Sequence, residues 1–300
     1  ETGISVNYMN FTNNEDMLPQ VRNSPAQFDV VFPSDYAIER MIQEDLLQPI
    51  NYDNIPNIQY INPNLLKPDY DPTGEYSIPY MWGTVGILYN TKLVDGEVTS
   101  WQTLFDAKNQ NNVFMQLSVR DSMGVALKSL GYSMNSVDPY QLTEAKERLI
   151  KQKSDGIVKA YQYDEIKDKM VLGEAALSVV YSGDAQYAID LNSDLAYVVP
   201  IEGSNIWVDG MVIPKAAKHR ENAEKFIDFL CRPDVAAMNC QEIWYSTPNT
   251  EAEKLMGAVY TDNLTINPTQ EIIDRCEFFT DVGDFLTVYN TMWEQVVSSK

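Results

Sequence analysis

The stretch Asn205-Ile206-Trp207-Val208-Asp209-Gly210-Met211-Val212-Ile213-Pro214 reads as a β-strand closed by proline. Side chains two residues apart on a strand emerge on one face, so Trp207 and Asp209 stand together, a flat ring beside a carboxylate. An alkylammonium uses both, because the ring face attracts the cation and the carboxylate pairs its charge. The same residues also suit an edge strand with a half-buried Trp and a solvated Asp. The rest of the chain has to choose.

Around this segment, strand-like and helix-like runs alternate, the order expected of an α/β fold with mainly parallel sheets. Ile4, Val6 and Tyr8 alternate with polar neighbours as in a strand, and residues 28–32 read as a buried strand. Residues 76–82 and 85–89 form two β-rich runs split by Gly83-Thr84, and residues 158–161, 176–181 and 195–200 add further strands. Helices are expected over residues 15–22, 35–47, 220–231, 234–242, 269–275 and 281–297, with more opened by Ser100-Trp101 and Asp138-Pro139. Residues 51–72 form a loop rich in Pro, Asn and Asp, and no repeat or low-complexity linker occurs. Glu1-Thr2-Gly3 resembles the end of a helix with Gly3 as a left-handed cap, so a strand–helix unit is expected upstream of Glu1.

At 300 residues the chain suits two lobes of ordinary domain size. No apolar run approaches the ~18 residues of a membrane helix. Glu1-Thr2-Gly3-Ile4 has neither a basic n-region nor an apolar h-region, so the compartment is not legible there. The net charge of −21 argues against nucleic acid as a partner and favours small cations, although plain solubility accounts for it as well. Three scattered cysteines make neither a disulfide framework nor a zinc site. The single histidine, His219, removes His-based triads and most His-based metal sites. There is no Gly-rich phosphate loop, G-x-S-x-G elbow or H-E-x-x-H. No enzyme, cofactor or metal is therefore expected. A hydrolase using paired carboxylates stays open as a distant alternative, since among 43 acidic residues some pair is bound to occur.

What remains are aromatic and acidic turns at strand ends, where open α/β sheets bind ligands. Phe32-Pro33-Ser34-Asp35-Tyr36, Ser118-Val119-Arg120-Asp121, Tyr181-Ser182-Gly183-Asp184 and Ile243-Trp244-Tyr245-Ser246-Thr247-Pro248-Asn249 are such turns. Helix capping by Ser34 or Asp35 and by Asp121 explains the first two equally well.

Several strings, in order and spanning nearly the whole chain, are specific: Phe32-Pro33-Ser34-Asp35-Tyr36, Ser77-Ile78-Pro79-Tyr80-Met81-Trp82-Gly83, Leu130-Gly131-Tyr132-Ser133, Trp207-Val208-Asp209, Phe229-Leu230-Cys231-Arg232-Pro233-Asp234-Val235-Ala236 and Tyr245-Ser246-Thr247-Pro248-Asn249. With them the chain resembles the substrate-binding proteins of polyamine (spermidine/putrescine) ABC importers. The resemblance implies a two-lobed, type II periplasmic-binding α/β fold with a hinge and a ligand cleft. Lobe one would hold residues 1–85 with 210–250, and lobe two residues 86–209 with 251–300. It implies an extracytoplasmic protein, in the periplasm or lipid-anchored, that binds putrescine or spermidine and delivers it to the permease subunits.

Carried over residue by residue, the resemblance places Tyr36, Tyr181, Trp207 and Tyr245 in an aromatic box around the methylene chain. Ser34 would hydrogen-bond an amine, and Asp209 and Asp121 would pair the amines. Tyr181 stands where the family usually has Trp, and Asp121 where it often has Glu. Ser118 replaces an acid, and Phe279 a glutamine, of the spermidine binders. Asp184 matches an acid of putrescine-selecting relatives, and Trp82 joins these as a further candidate. The departures favour putrescine, or another short diamine, over spermidine. An alternative keeps the scaffold and changes the ligand to another small organic cation, or makes the protein a ligand sensor.

Overall fold

A computed structural model describes residues 2–299. The chain divides into two units: Glu1–Trp82 with Trp207–Glu242 and Ser246–Val259, and Gly83–Ile206 with Ile243–Tyr245 and Tyr260–Lys300. Trp207 and Asp209, allotted to the second lobe by sequence, fall in the first unit.

The first unit begins with α1 (Asn14–Asn23) and α2 (Asp35–Gln43). Asn13 caps α1 by accepting the Asp16 amide at 2.7 Å, and Glu15 and Asp16 suit the positive end of the helix. Met17, Leu18 and Val21 of α1 and Ala37, Ile38 and Met41 of α2 share a core with Val208 and Val212. Helix α2 ends four residues before the expected Leu47. Asp45 takes φ +56°, and the Leu46 and Asp45 amides donate to Met41 and Ile42 carbonyls, a Schellman-type stop.

The expected strand at residues 28–32 reduces to bridges that pair Val31 with Val212 and Ser34 with Asp209. Residues 4–8 form no regular element, with Val6 and Tyr8 exposed, because no neighbouring segment pairs their backbone among the described residues. Gly3 does take the left-handed φ, +72°.

Strand β1 (Ser77–Asn90) is one continuous strand rather than two runs, passing from the first unit into the second after Trp82. In the second unit follow β2 (Val113–Gln116), α3 (Val119–Ser129), α4 (Pro139–Ser154), β3 (Val158–Gln162), α5 (Glu165–Val171), β4 (Leu177–Tyr181), α6 (Ser182–Leu191) and β5 (Leu195–Val198). Asp138 caps α4 as expected, accepting the Tyr140 and Gln141 amides, while Ser100 caps a short 3-10 turn at Trp101–Phe105. The sheet runs β3-β2-β4-β1-β5, with β6 (Ile206–Val212) also paired to β1. It is mixed, not mainly parallel. Strand β2 lies parallel to β3 and β4, whereas β1 runs antiparallel to β4 and β5. Gly86 allows this close pairing: a Cβ there would stand 2.5 Å from the Tyr197 ring and from the Val198 carbonyl.

Strand β6 returns the chain to the first unit after Ile206. Its parity shows in the packing: Val208 and Val212 join the α1–α2 core, while Met211 joins the cluster of Ile78, Ile213, Ile227 and Cys231. Helices α7 (Arg220–Leu230), α8 (Pro233–Ile243) and α9 (Thr250–Met256) follow, then α10 (Ala258–Thr261), α11 (Gln270–Ile273) and α12 (Phe285–Ser298). No helix among the described residues is long and apolar enough to cross a membrane.

Candidate functional site

Every residue of β6 is buried except Asp209, which is half-buried. Ser34 occupies the N-cap position of α2, yet its hydroxyl makes no cap hydrogen bond. It donates instead to Asp209 Oδ1 at 2.7 Å, drawn there by the Ser34–Asp209 bridge. Side-chain capping by Ser34 is thus overturned, and Asp35, the first residue of the helix, only accepts the adjacent Tyr36 amide at its Oδ1. Burial pushes the Asp209 carboxyl up to about 6, against the Ser34 hydrogen bond that holds it down. Lys and Arg side chains of the described residues leave it unpaired.

Tyr36 stands beside this acid through shared partners. Its hydroxyl donates to Glu15 Oε1 at 2.9 Å and accepts from Asn14 Nδ2 at 3.2 Å. Asn14 Nδ2 also reaches Ser34 Oγ at 3.1 Å, and Asn14 Oδ1 accepts the Ser34 amide. The first turn of α1 therefore braces Ser34 and Tyr36, a role that sequence reasoning missed for Asn14 and Glu15. Trp207 is buried two residues before Asp209, and Trp82 packs half-buried against the α1–α2 core. Tyr70, also missed, is buried in this unit, and its hydroxyl finds no hydrogen-bond partner among the described residues. Burial first, then Asp35, Asp71 and Asp209, hold its phenol protonated. A cavity of about 10 Å³ lined by Ile61, Tyr80 and Met211 is at the limit for one water and too small for a solute.

The second unit carries a matching set. Ser118, not Asp121 as the sequence suggested, caps α3, accepting the Asp121 amide at 3.4 Å. Asp121 itself is buried, and Tyr181 at the end of β4 donates to its Oδ2 at 2.7 Å. Burial raises the Asp121 carboxyl, opposed by hydrogen bonds from Ser118 and Tyr181 and by the Arg120 charge. Phe279 is buried with the Arg120 guanidinium 4.4 Å above its ring, and Arg120 also donates to the Thr280 carbonyl and to Asn135.

Asp184 lies in the first turn of α6, and its surroundings differ. Lys167 on α5 pairs its Oδ1 at 2.8 Å, and Tyr245 donates to Oδ2 at 3.2 Å. The Tyr245 ring rests on Gly183, where a Cβ would come within 2.5 Å of it. Before it, Trp244 takes φ +60°, uncommon for a bulky residue. The structure thus groups Ser34, Tyr36 and Asp209 in one unit, and in the other Ser118, Asp121 and Tyr181, with Asp184 beside Tyr245. Lys167 carried no signal in sequence, being one of many helical lysines.

Residues 1–268 match the profile of the bacterial extracellular solute-binding proteins. The chain belongs to this family. This solute-binding protein is 33% identical, over its whole length and 86% of the relative, to the spermidine/putrescine-binding periplasmic protein of Salmonella typhimurium. A chain from Listeria monocytogenes assigned to a spermidine/putrescine ABC transporter superposes with a TM-score of 0.96 at 36% identity, covering 100% of this chain and 92% of that one. A spermidine/putrescine ABC transporter substrate-binding protein of Streptococcus pneumoniae gives 0.84 at 36% identity, covering 99% and 91%. The two-lobed periplasmic-binding fold follows from these likenesses, as does an extracytoplasmic place for this solute-binding protein.

Proposed function

We propose that this solute-binding protein takes up a polyamine, putrescine or spermidine, and passes it to the permease subunits of an ABC importer. One observation carries the reading most: Asp209 is a carboxylate in a buried strand with a single hydroxyl donor and, among the described residues, no basic side chain paired to it. Such an acid is poised for an incoming ammonium, and Trp207 on the same strand supplies a ring. In the second unit, Asp121 with Tyr181 is fit for another ammonium. The names of the relatives support the same ligand class. Ser34, Tyr36, Asp121, Tyr181, Trp207, Asp209 and Tyr245 are the proposed binding residues, with Trp82 as a packing neighbour. We read the protein as a binder rather than an enzyme on its family membership.

A short diamine is the preferred ligand in this reading. Ser118 is engaged as a helix cap and Phe279 under the Arg120 guanidinium, so neither offers a carboxylate or amide to a third amine. Putrescine has about six non-hydrogen atoms, and about −1.5 kcal/mol per atom allows roughly −9 kcal/mol, a micromolar affinity. Calorimetry with putrescine, cadaverine, spermidine, spermine, choline and amino acids tests the reading. Micromolar diamine binding is expected. Silence with every amine, or tighter binding of choline or an amino acid, overturns it.

A further inference from the structure

The Asp184 set contains its own alkylammonium. The Lys167 side chain is chemically a butylammonium, four methylenes ending in a cation, and it lies half-buried with its Nζ 2.8 Å from Asp184 Oδ1. The same Nζ stands 5.7 Å from the centre of the Tyr187 ring, and the second Asp184 oxygen accepts from Tyr245. A carboxylate pairs the cation, an aromatic face lies near it and a phenol donates to the same carboxylate, the grouping that recognises an amine ligand.

We propose that Lys167 is a specificity-determining residue that fills, from within the chain, an ammonium subsite at Asp184 and Tyr245, and so limits the number of ligand amines the protein can pair. This rests on the polyamine reading. The geometry supports it independently of any single feature. Gly183 lets the Tyr245 ring approach closely enough to share Asp184, which a side chain there would block. Asp164 and Asp168 add negative charge on the Lys167 side, so the place favours a cation whether or not a lysine supplies it. With Lys167 in position, the charge of Asp184 is met and a third ligand ammonium finds no carboxylate there. Without Lys167, the same acid would lie largely buried and uncompensated, and would draw a ligand amine.

The test is replacement of Lys167 and return of its side chain as a free molecule. In Lys167→Ala, calorimetric titration with n-butylammonium chloride should show one more equivalent bound than in the parent protein, and Lys167→Ala/Asp184→Asn should lose that equivalent. In Lys167→Gln, which keeps a hydrogen-bonding group but removes the charge, the spermidine-to-putrescine affinity ratio should rise about tenfold, the size of one charged hydrogen bond. No additional equivalent in a folded Lys167→Ala overturns the proposal. If Lys167→Ala does not fold, an unchanged affinity ratio in Lys167→Gln overturns it. A parent protein that binds no polyamine defeats the functional reading instead, while the butylammonium titration still decides the role of Lys167.

Discussion

Asp209 in the first unit and Asp184 in the second are chemically alike and electrostatically opposite. Each is a shielded carboxylate that accepts from a neutral hydroxyl, Ser34 in one case and Tyr245 in the other. Asp184 also holds Lys167, whereas Asp209 is joined by no cation among the described residues, and burial lifts its carboxyl to about 6. Asp71, in the same unit as Asp209, marks a third state: it accepts from the Tyr76 and Ser77 amides and the Ser77 hydroxyl, and serves the fold. The lesson is that an acid's availability to a ligand is set by what already compensates it, not by its residue type or its closeness to rings.

The contrast breaks most readily at Asp209. Replacing it with Asn should weaken diamine binding about tenfold to a hundredfold, since a carboxylate–ammonium hydrogen bond contributes roughly 1.5–3 kcal/mol. Calorimetry finding Asp209→Asn within twofold of the parent removes Asp209 from the site.

A change of pH should act in the same place with about tenfold effect. The ammonium pairs only the ionised acid, so affinity should fall about tenfold between pH 7 and pH 5 as Asp209 takes up a proton near 6. The free protein should respond in the opposite sense. An acid whose carboxyl is raised on folding stabilises below its unfolded value, and that contribution is lost as pH rises through about 6. Asp209→Asn should flatten both dependences; a pH profile of affinity that survives the substitution assigns the titration elsewhere.

The second unit should give a smaller effect. Tyr181→Phe removes the 2.7 Å donor to Asp121 while leaving the ring, and a few-fold loss of affinity is expected from one neutral hydrogen bond. An unchanged dissociation constant would leave Asp121 and Tyr181 as structural partners only. The smallest expected change is Phe279→Gln. It should bring spermidine closer to putrescine by a few-fold, judged by competition between the two. Equal binding of both by the parent protein would already refute the preference.

Much of the fold was legible because its signals are local. Asp138-Pro139 announces α4, and the apolar positions of α7 and α12 recur with helical spacing. The errors occurred where partners decide. Ile4, Val6 and Tyr8 have strand periodicity but no strand to pair with among the described residues, and Gly83-Thr84 looks like a break yet sits inside a paired strand.

The sequence by itself determined the family, through motifs spread along the chain, and put a ring and an acid on one strand face at Trp207 and Asp209. Only the tertiary structure decided which acids are already satisfied. Ser34 looks like a helix cap until a residue 175 positions away takes its hydroxyl, and Asp184 looks open until Lys167, 17 positions earlier, pairs with it. The reason is physical. Periodicity and capping depend on neighbours along the chain, whereas charge compensation depends on neighbours in space, which packing alone brings together.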